Sequence, residues 1–262
     1  MSRQQQRPDG PSEPLVNHIP APEVAEAVKP VLVVPLGRGQ CGKSVFLRHG
    51  IDRARNAGRE IIVADGDRSN QTLSAYYDDA VRAESAEDAD IHVWITGLLE
   101  KAATDRVSVA LDMAGGDRVL ESYSKELPIV EFCNDAGILP VCVYFVAPNA
   151  DSLAPIGALE ASGAFRTSQT VVVLNEGLVP VSDDIGRAFA SVKRHPTLRA
   201  VLERGGEIVV MPRLGCMPEV DRRRAHFYDD GGKLGPVDSF RVKHWRKAMD
   251  EAFAPVRHWL PW

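Results

Sequence analysis

Nearly unbroken apolar runs, rich in β-branched residues, recur along the chain at residues 31–35, 60–64, 107–113, 140–146, 170–174 and 207–211. Few of them alternate with polar residues. That is the form expected of strands covered on both faces in a parallel sheet. Between them lie stretches with helical period. One covers residues 43–57, with Leu47, Ile51 and Ala54 on one face and Gly58 as a stop. Others fit residues 91–103, 127–136, 151–161 and 182–204. Strand and helix in alternation predict an α/β fold: a doubly wound, mostly parallel sheet in a three-layer sandwich. No internal repeat is visible. Residues 239–254 form a last helical pattern, with Val242, Trp245, Met249, Ala252 and Phe253 in phase and Arg241, Lys243, Arg246 and Lys247 around them. Residues 1–29 have no hydrophobic period and are rich in Pro, Gln, Ser and Glu, which reads as a flexible tail before a single domain at 30–262. A tail this short cannot hold a separate helix-turn-helix with its own core.

Composition narrows this picture only modestly. The 262 residues suffice for one sizeable core, and 44% hydrophobic with 26% charged residues is ordinary for a globular protein. No run approaches the roughly 18 apolar residues of a membrane span. The first residues lack the apolar core of a secretion signal, so the expected location is cytoplasmic. Cys41, Cys133, Cys142 and Cys216 form no C-x-x-C pair and support neither a disulfide framework nor a zinc site. The net charge of −5 hides an asymmetry: residues 213–262 carry ten basic and seven acidic residues. That excess is too mild to identify nucleic acid as a partner, which stays open.

The chemistry starts after the first strand, where the chain reads Gly37-Arg38-Gly39-Gln40-Cys41-Gly42-Lys43-Ser44. The three glycines fit G-x-G-x-x-G, a dinucleotide turn. The whole fits G-x-x-x-x-G-K-S, a loop that wraps a nucleoside triphosphate. Both use backbone N–H groups aimed at phosphate at the start of a helix. Only the triphosphate site has a use for Lys43, whose ammonium reaches the outer phosphates, and for the Ser44 hydroxyl, which binds Mg²⁺. The second run ends in Asp65, where a dinucleotide fold places its ribose-binding acid. Asp67 follows two residues later, and such a pair can hold magnesium and orient a water. The third run ends in Asp112, followed by Gly115 and Gly116. A carboxylate at a strand tip beside the loop is what Mg²⁺–triphosphate chemistry requires. Three features in this order point to ATP and Mg²⁺ rather than NAD.

On these residues the chain resembles the ParA/MinD group of P-loop ATPases over residues 31–212. The family loop G-K-G-G-x-G-K-[ST] stands here as the eight residues from Gly37 to Ser44. Its second motif of paired acids and an asparagine stands as Asp65-Gly66-Asp67-Arg68-Ser69-Asn70. Its D-x-P-x-G segment stands as Asp112-Met113-Ala114-Gly115-Gly116. Asn175 and Pro212 occupy the places of the residues that flank the base. The resemblance implies an ATP-dependent homodimer closing over two nucleotides. It assigns Lys43, Asp67 and Arg38 to catalysis, and residues 37–44 with Asn175 and Pro212 to nucleotide binding. Ser44, Asp67 and Asp112 fall to the metal, with Asp65 beside it.

The family's trans-acting lysine is replaced by Arg38, which keeps the charge but not the point-charge geometry. Gln40 replaces a glycine, and Ala114 replaces a proline. Binding of ATP therefore stands on firmer ground than fast hydrolysis. The implied roles are plasmid partition, conjugative transfer or cargo positioning, with an unknown protein partner. Alternatives are an ATP-dependent ligase or kinase on the same scaffold, and a nucleotide-binding scaffold with little turnover. The terminal helix has two readings: a membrane- or partner-binding element, or a last helix packed on the sheet. Asp250 and Glu251, which interrupt its basic side, favour the second.

Overall fold

The computed structural model describes residues 29–68, 70–116, 118–228 and 232–262. The tail expected over residues 1–29 lies, apart from Lys29, outside the described residues. The first half runs β1 (Val31–Gly37), α1 (Lys43–Asn56), β2 (Ile61–Gly66), α2 (Asp88–Asp105), β3 (Ser108–Met113), α3 (Val119–Glu126) and α4 (Ile129–Asp135). It continues through β4 (Leu139–Val146), α5 (Ala154–Ser162), β5 (Thr170–Asn175), α6 (Ile185–Ala188), α7 (Ala190–Lys193), α8 (Pro196–Glu203), β6 (Glu207–Met211), α9 (Met217–Arg222) and α10 (Pro236–Ala252).

The six strands form one sheet in the order β2-β3-β1-β4-β5-β6, and every ladder in it is parallel. All seven residues of β1 are buried, because each strand residue faces one of two covered layers. Val31 and Val33 join a layer with Phe46, Leu47 and Ile51 of α1 and with Trp245 of α10. Leu32, Val34 and Leu36 join the opposite layer with Ile91, Ile95 and Leu98 of α2. The period-2 alternation of side chains thus fills both faces with apolar atoms.

All six strand runs appear as expected, five of them extended or trimmed by a residue or two and the sixth, 207–211, unchanged. The helices differ more. The single helix expected over 182–204 is three short ones. Asp184 caps α6 through its Oδ1, which accepts from Arg187 N, and Pro196 removes a donor and opens α8 as a new helix. Pro128 likewise separates α4 from α3, a helix the periodicity did not predict. α9 was also unpredicted.

The terminal pattern is a helix whose apolar stripe faces inward: Val242, Trp245 and Met249 are buried against the α1 side of the sheet. Trp245 Nε1 donates to the carbonyl of Pro212 at 2.8 Å. Among the described residues, no helix is long and apolar enough to cross a membrane.

Candidate functional site

The parallel register brings the carboxyl ends of the strands together on one rim, where open α/β sheets bind ligands. Because β1 lies between β3 and β4, the glycine loop is flanked by the loop that follows Asp112. Asp65 and Asp112 face each other in the β2–β3 register, and Asn175 pairs with Met211 in β5–β6.

The glycine loop connects β1 to α1 with Gly37, Gln40 and Gly42 all at positive φ: 137°, 61° and 101°. Such angles suit glycine and strain Gln40. Gly42 could carry no side chain, because a Cβ there would fall 2.5 Å from Asn175 Nδ2 and 3.0 Å from Met211 Cε. β5 and β6 therefore brace the loop from behind. Asn175 Nδ2 donates to Cys41 O at 2.9 Å, and Asn175 Oδ1 accepts from Gly177 N at 2.8 Å. Both ends of the Asn175 amide are thus engaged in shaping the loops. Lys43 is buried and donates Nζ to Arg38 O at 3.1 Å, which holds its ammonium within the loop. Arg38, Gly39 and Gln40 are exposed, and the Arg38 side chain has no polar partner among the described residues. The Cys41 thiol is buried, and burial pushes its pKa up, so the thiolate is disfavoured.

Ser44, at the first turn of α1, donates Oγ to Asp112 Oδ2 at 2.6 Å. Asp112 is 1% exposed, and its Oδ1 is buried without a hydrogen-bond partner among the described residues. Burial pushes its pKa up to about 6, while the Ser44 bond and the Lys43 charge pull it down and Asp65 and Asp67 push it further up. A buried carboxylate oxygen without a donor fits a site completed by a cation. Among the described residues, no three His, Cys, Asp or Glu side chains gather as a metal cage. The donor set instead suits Mg²⁺, which takes one or two protein groups and completes its shell with phosphate and water.

The acids after β2 divide their work. Asp65 Oδ2 accepts from Ser74 N at 2.8 Å and Ser74 Oγ at 2.7 Å, and its Oδ1 accepts from Asp67 N at 3.4 Å. Asp65 therefore ties its own loop together. Asp67, 9% exposed, accepts from Asn70 N at 2.9 Å. Across the rim, the loop after Asp112 lies on the glycine loop: a Cβ on Gly115 would fall 2.1 Å from Gly39 N. Pro212 sits at the end of β6, its carbonyl held by Trp245. The residues singled out in the sequence thus share one rim, from Asp67 through Asp112, Ser44 and Lys43 to Asn175. Ser74, Met211 and Trp245 also shape it. Ser74 follows Asp65 by nine residues in a loop without period, so the sequence carries no signal for it.

A strand, a G-x-x-x-x-G-K-S turn and a helix, with a carboxylate on the neighbouring strand bonded to the serine, define a P-loop nucleotide-binding scaffold. No protein-family model and no curated protein matches the sequence. Solved structures with a similar fold include the signal recognition particle receptor FtsY of Elizabethkingia anophelis, at 13% identity and TM-score 0.46, over 83% of this chain and 66% of that one. Chloroplast FtsY of Physcomitrella patens is similar at 16% identity and TM-score 0.43, over 71% of this chain and 60% of that one. The MinD cell division protein of Aquifex aeolicus is similar at 16% identity and TM-score 0.42, over 84% and 96%. The chain spans two thirds or less of the length of the two FtsY chains. At these identities the likeness concerns the fold alone.

Proposed function

We propose that the chain binds ATP with Mg²⁺ and works as a slowly hydrolysing, nucleotide-switched homodimer of the ParA/MinD type. Its role would lie in plasmid partition, conjugative transfer or the positioning of another cargo. The observation that carries the reading is the contact between Ser44 and Asp112, 2.6 Å apart beside a glycine loop, with Asp112 Oδ1 buried and without a hydrogen-bond partner among the described residues. In this reading backbone amides of the glycine loop cradle phosphate. Lys43 exchanges the Arg38 carbonyl for the outer phosphates. Ser44 and Asp112 would hold Mg²⁺, which would supply positive charge beside the phosphates. Asp67 orients the attacking water, and Asp65 fixes the Asp67 loop through Ser74. Arg38, which is exposed, would in this reading touch a second copy's nucleotide.

A second reading, a nucleotide binder with scarcely any turnover, draws on Gln40, which holds at φ 61° a conformation glycine would adopt freely. Titration with ATP, GTP, ADP and NAD, with and without Mg²⁺, combined with sedimentation, tests both readings. The switch predicts ATP-specific self-association, abolished by Lys43→Ala and trapped by Asp67→Ala. A protein that stays monomeric at saturating ATP refutes the switch, and preference for NAD refutes the loop assignment. A dimer without phosphate release supports the second reading.

A further inference from the structure

β2 is an outer strand of the sheet, and its free side is only partly covered. Val81 runs beside it as a one-residue parallel bridge to Ala64: Val81 N donates to Val63 O at 2.8 Å, and Asp65 N donates to Val81 O at 3.0 Å. Those bonds establish which residues of β2 direct their backbone outward. By the alternation of a parallel ladder, Ile61 C=O and Val63 N–H also point to this side. Neither has a partner among the described residues. They are the acceptor and donor that a residue set opposite Ile62 would use.

The place where that residue would lie is a groove of about 710 Å³. α1 and α2, on opposite faces of the sheet, form its walls, and Trp94 and Leu98 give it an apolar side. Its rim is charged, but unevenly satisfied. Asp79 is bonded to Arg55 at 2.6 Å, and Asp105 is paired with Lys101 at 3.4 Å. Among the described residues, the Arg59 side chain donates only to the Pro261 carbonyl. Arg82 is exposed, and neither it nor Arg59 has a carboxylate partner among the described residues. Glu60, also on the rim, is exposed and without a cationic partner among the described residues, so two unpaired guanidinium groups stand against one unpaired carboxylate. An unpaired strand edge in an apolar groove with that positive excess suits one kind of occupant.

We propose that this groove is a docking site for an extended peptide of a partner protein, one with apolar residues flanked by acids. The peptide adds a short parallel strand to β2, with its main chain bonded to Ile61 C=O and Val63 N–H. Its apolar side chains lie toward Trp94 and Leu98, and its carboxylates meet Arg82 and Arg59. The proposal is independent of the nucleotide reading, because none of these residues belongs to the phosphate loop. The groove nevertheless adjoins it: Val81 bonds the backbone of Asp65, and a Cβ on Gly66 would fall 3.1 Å from the Trp94 ring.

The probe is a fluorescein-labelled peptide GDVVVDG, titrated into the full chain by polarisation. A matched peptide carries lysine in place of both aspartates. The acidic peptide should bind saturably, and Arg82→Glu should weaken it by about ten-fold. Gly97→Tyr is a second blocking variant: Gly97 is exposed on α2, and a Cβ there meets nothing within 4 Å, so the change fills the groove without disturbing the core. Hydrogen exchange should show the Val63 amide protected by the peptide. Equal binding of the lysine peptide, no saturation, or protection confined to residues outside the groove would overturn the proposal. So would a Val63 amide protected in the free chain and exposed on removal of residues 1–28, which would assign the groove to the chain's own segment. A dimer lost in Gly97→Tyr would assign it to a second copy instead.

Discussion

Gly115 and Gly39 lie back to back: a Cβ on the first would sit 2.1 Å from the amide nitrogen of the second. The neighbouring atoms are backbone on both sides, so no side-chain rotation could relieve the clash. The loop that follows Asp112 is thus seated on the exposed part of the glycine loop, and under the proposed function phosphate bound by that loop would lie beside Gly115. Gly115→Ala should push the two loops apart. We expect nucleotide turnover to fall about ten-fold or more, with a much smaller loss of thermal stability because the strain is local. Phosphate release and a melting curve on the same preparation check this. An unchanged turnover would show that the contact plays no part in the site.

The Ser44–Asp112 pair makes a second expectation concrete. Asp112→Asn removes the buried carboxylate that supports the serine and its cation. The variant should still fold, since Asn is isosteric and keeps a carbonyl oxygen that can face Ser44 Oγ. Nucleotide affinity measured with Mg²⁺ should drop about 10- to 100-fold, the range seen when support of a metal ligand is lost. Affinity measured in EDTA should barely change. Equal losses under both conditions would point to a collapsed loop rather than a lost metal site.

How much of this could be read from the sequence depended on the range of each interaction. The six strands were legible because both faces of a parallel sheet are covered, which makes the runs around Val33, Val109 and Val143 continuously apolar. The glycine loop, Asp67 and Asp112 were legible because each lies at or just past the carboxyl end of a strand, so chain order alone places them on the rim. What escaped was set by contacts remote in sequence. Nothing in the chain announces that Asn175 Nδ2 reaches the Cys41 carbonyl, or that Trp245 holds Pro212. The break of residues 182–204 into three helices was partly legible, since Pro196 and the capping Asp184 are visible in the sequence. The hydrophobic period there outweighed these local signals. The apolar stripe of α10 was seen correctly, but only packing could show that it faces α1 rather than a membrane or partner.

Gln40 tests the link between strain and function. It is exposed at φ 61°, so a substitution there changes backbone strain and little packing. Gln40→Val should destabilise the fold by about 1–2 kcal/mol, because a β-branched residue tolerates the left-handed region poorly. Gln40→Gly should leave stability within about 1 kcal/mol, since relief of strain is offset by the greater freedom of the unfolded chain. Urea denaturation of both variants measures this. If Val and Gly behave alike, the loop does not hold the conformation described here.

His49 gives the chain an acid-sensitive point on α1, five residues beyond Ser44 and outside the phosphate loop. It is buried, its ring edge-on to Trp245 at 5.3 Å, and both ring nitrogens lack hydrogen-bond partners among the described residues. Burial, reinforced by the charges of Arg53 and Arg246, pushes its pKa down to about 3 from an ordinary 6.5. The folded state therefore keeps His49 neutral between those values while the unfolded chain takes up a proton. Protons bound only by the unfolded state favour unfolding, so stability should fall as pH drops from about 6.5 towards 3. The slope contributed by this residue is at most about 1.4 kcal/mol per pH unit. His49→Leu removes the titrating ring and two unpaired polar atoms at once. At pH 7.5 the variant should be as stable as the parent or more so, and between pH 6.5 and 4.5 its stability should decline less steeply. Urea melts at pH 7.5, 6.5, 5.5 and 4.5 compare the two slopes. Parallel curves would mean that the acid sensitivity of the fold resides in its carboxylates and not in this histidine.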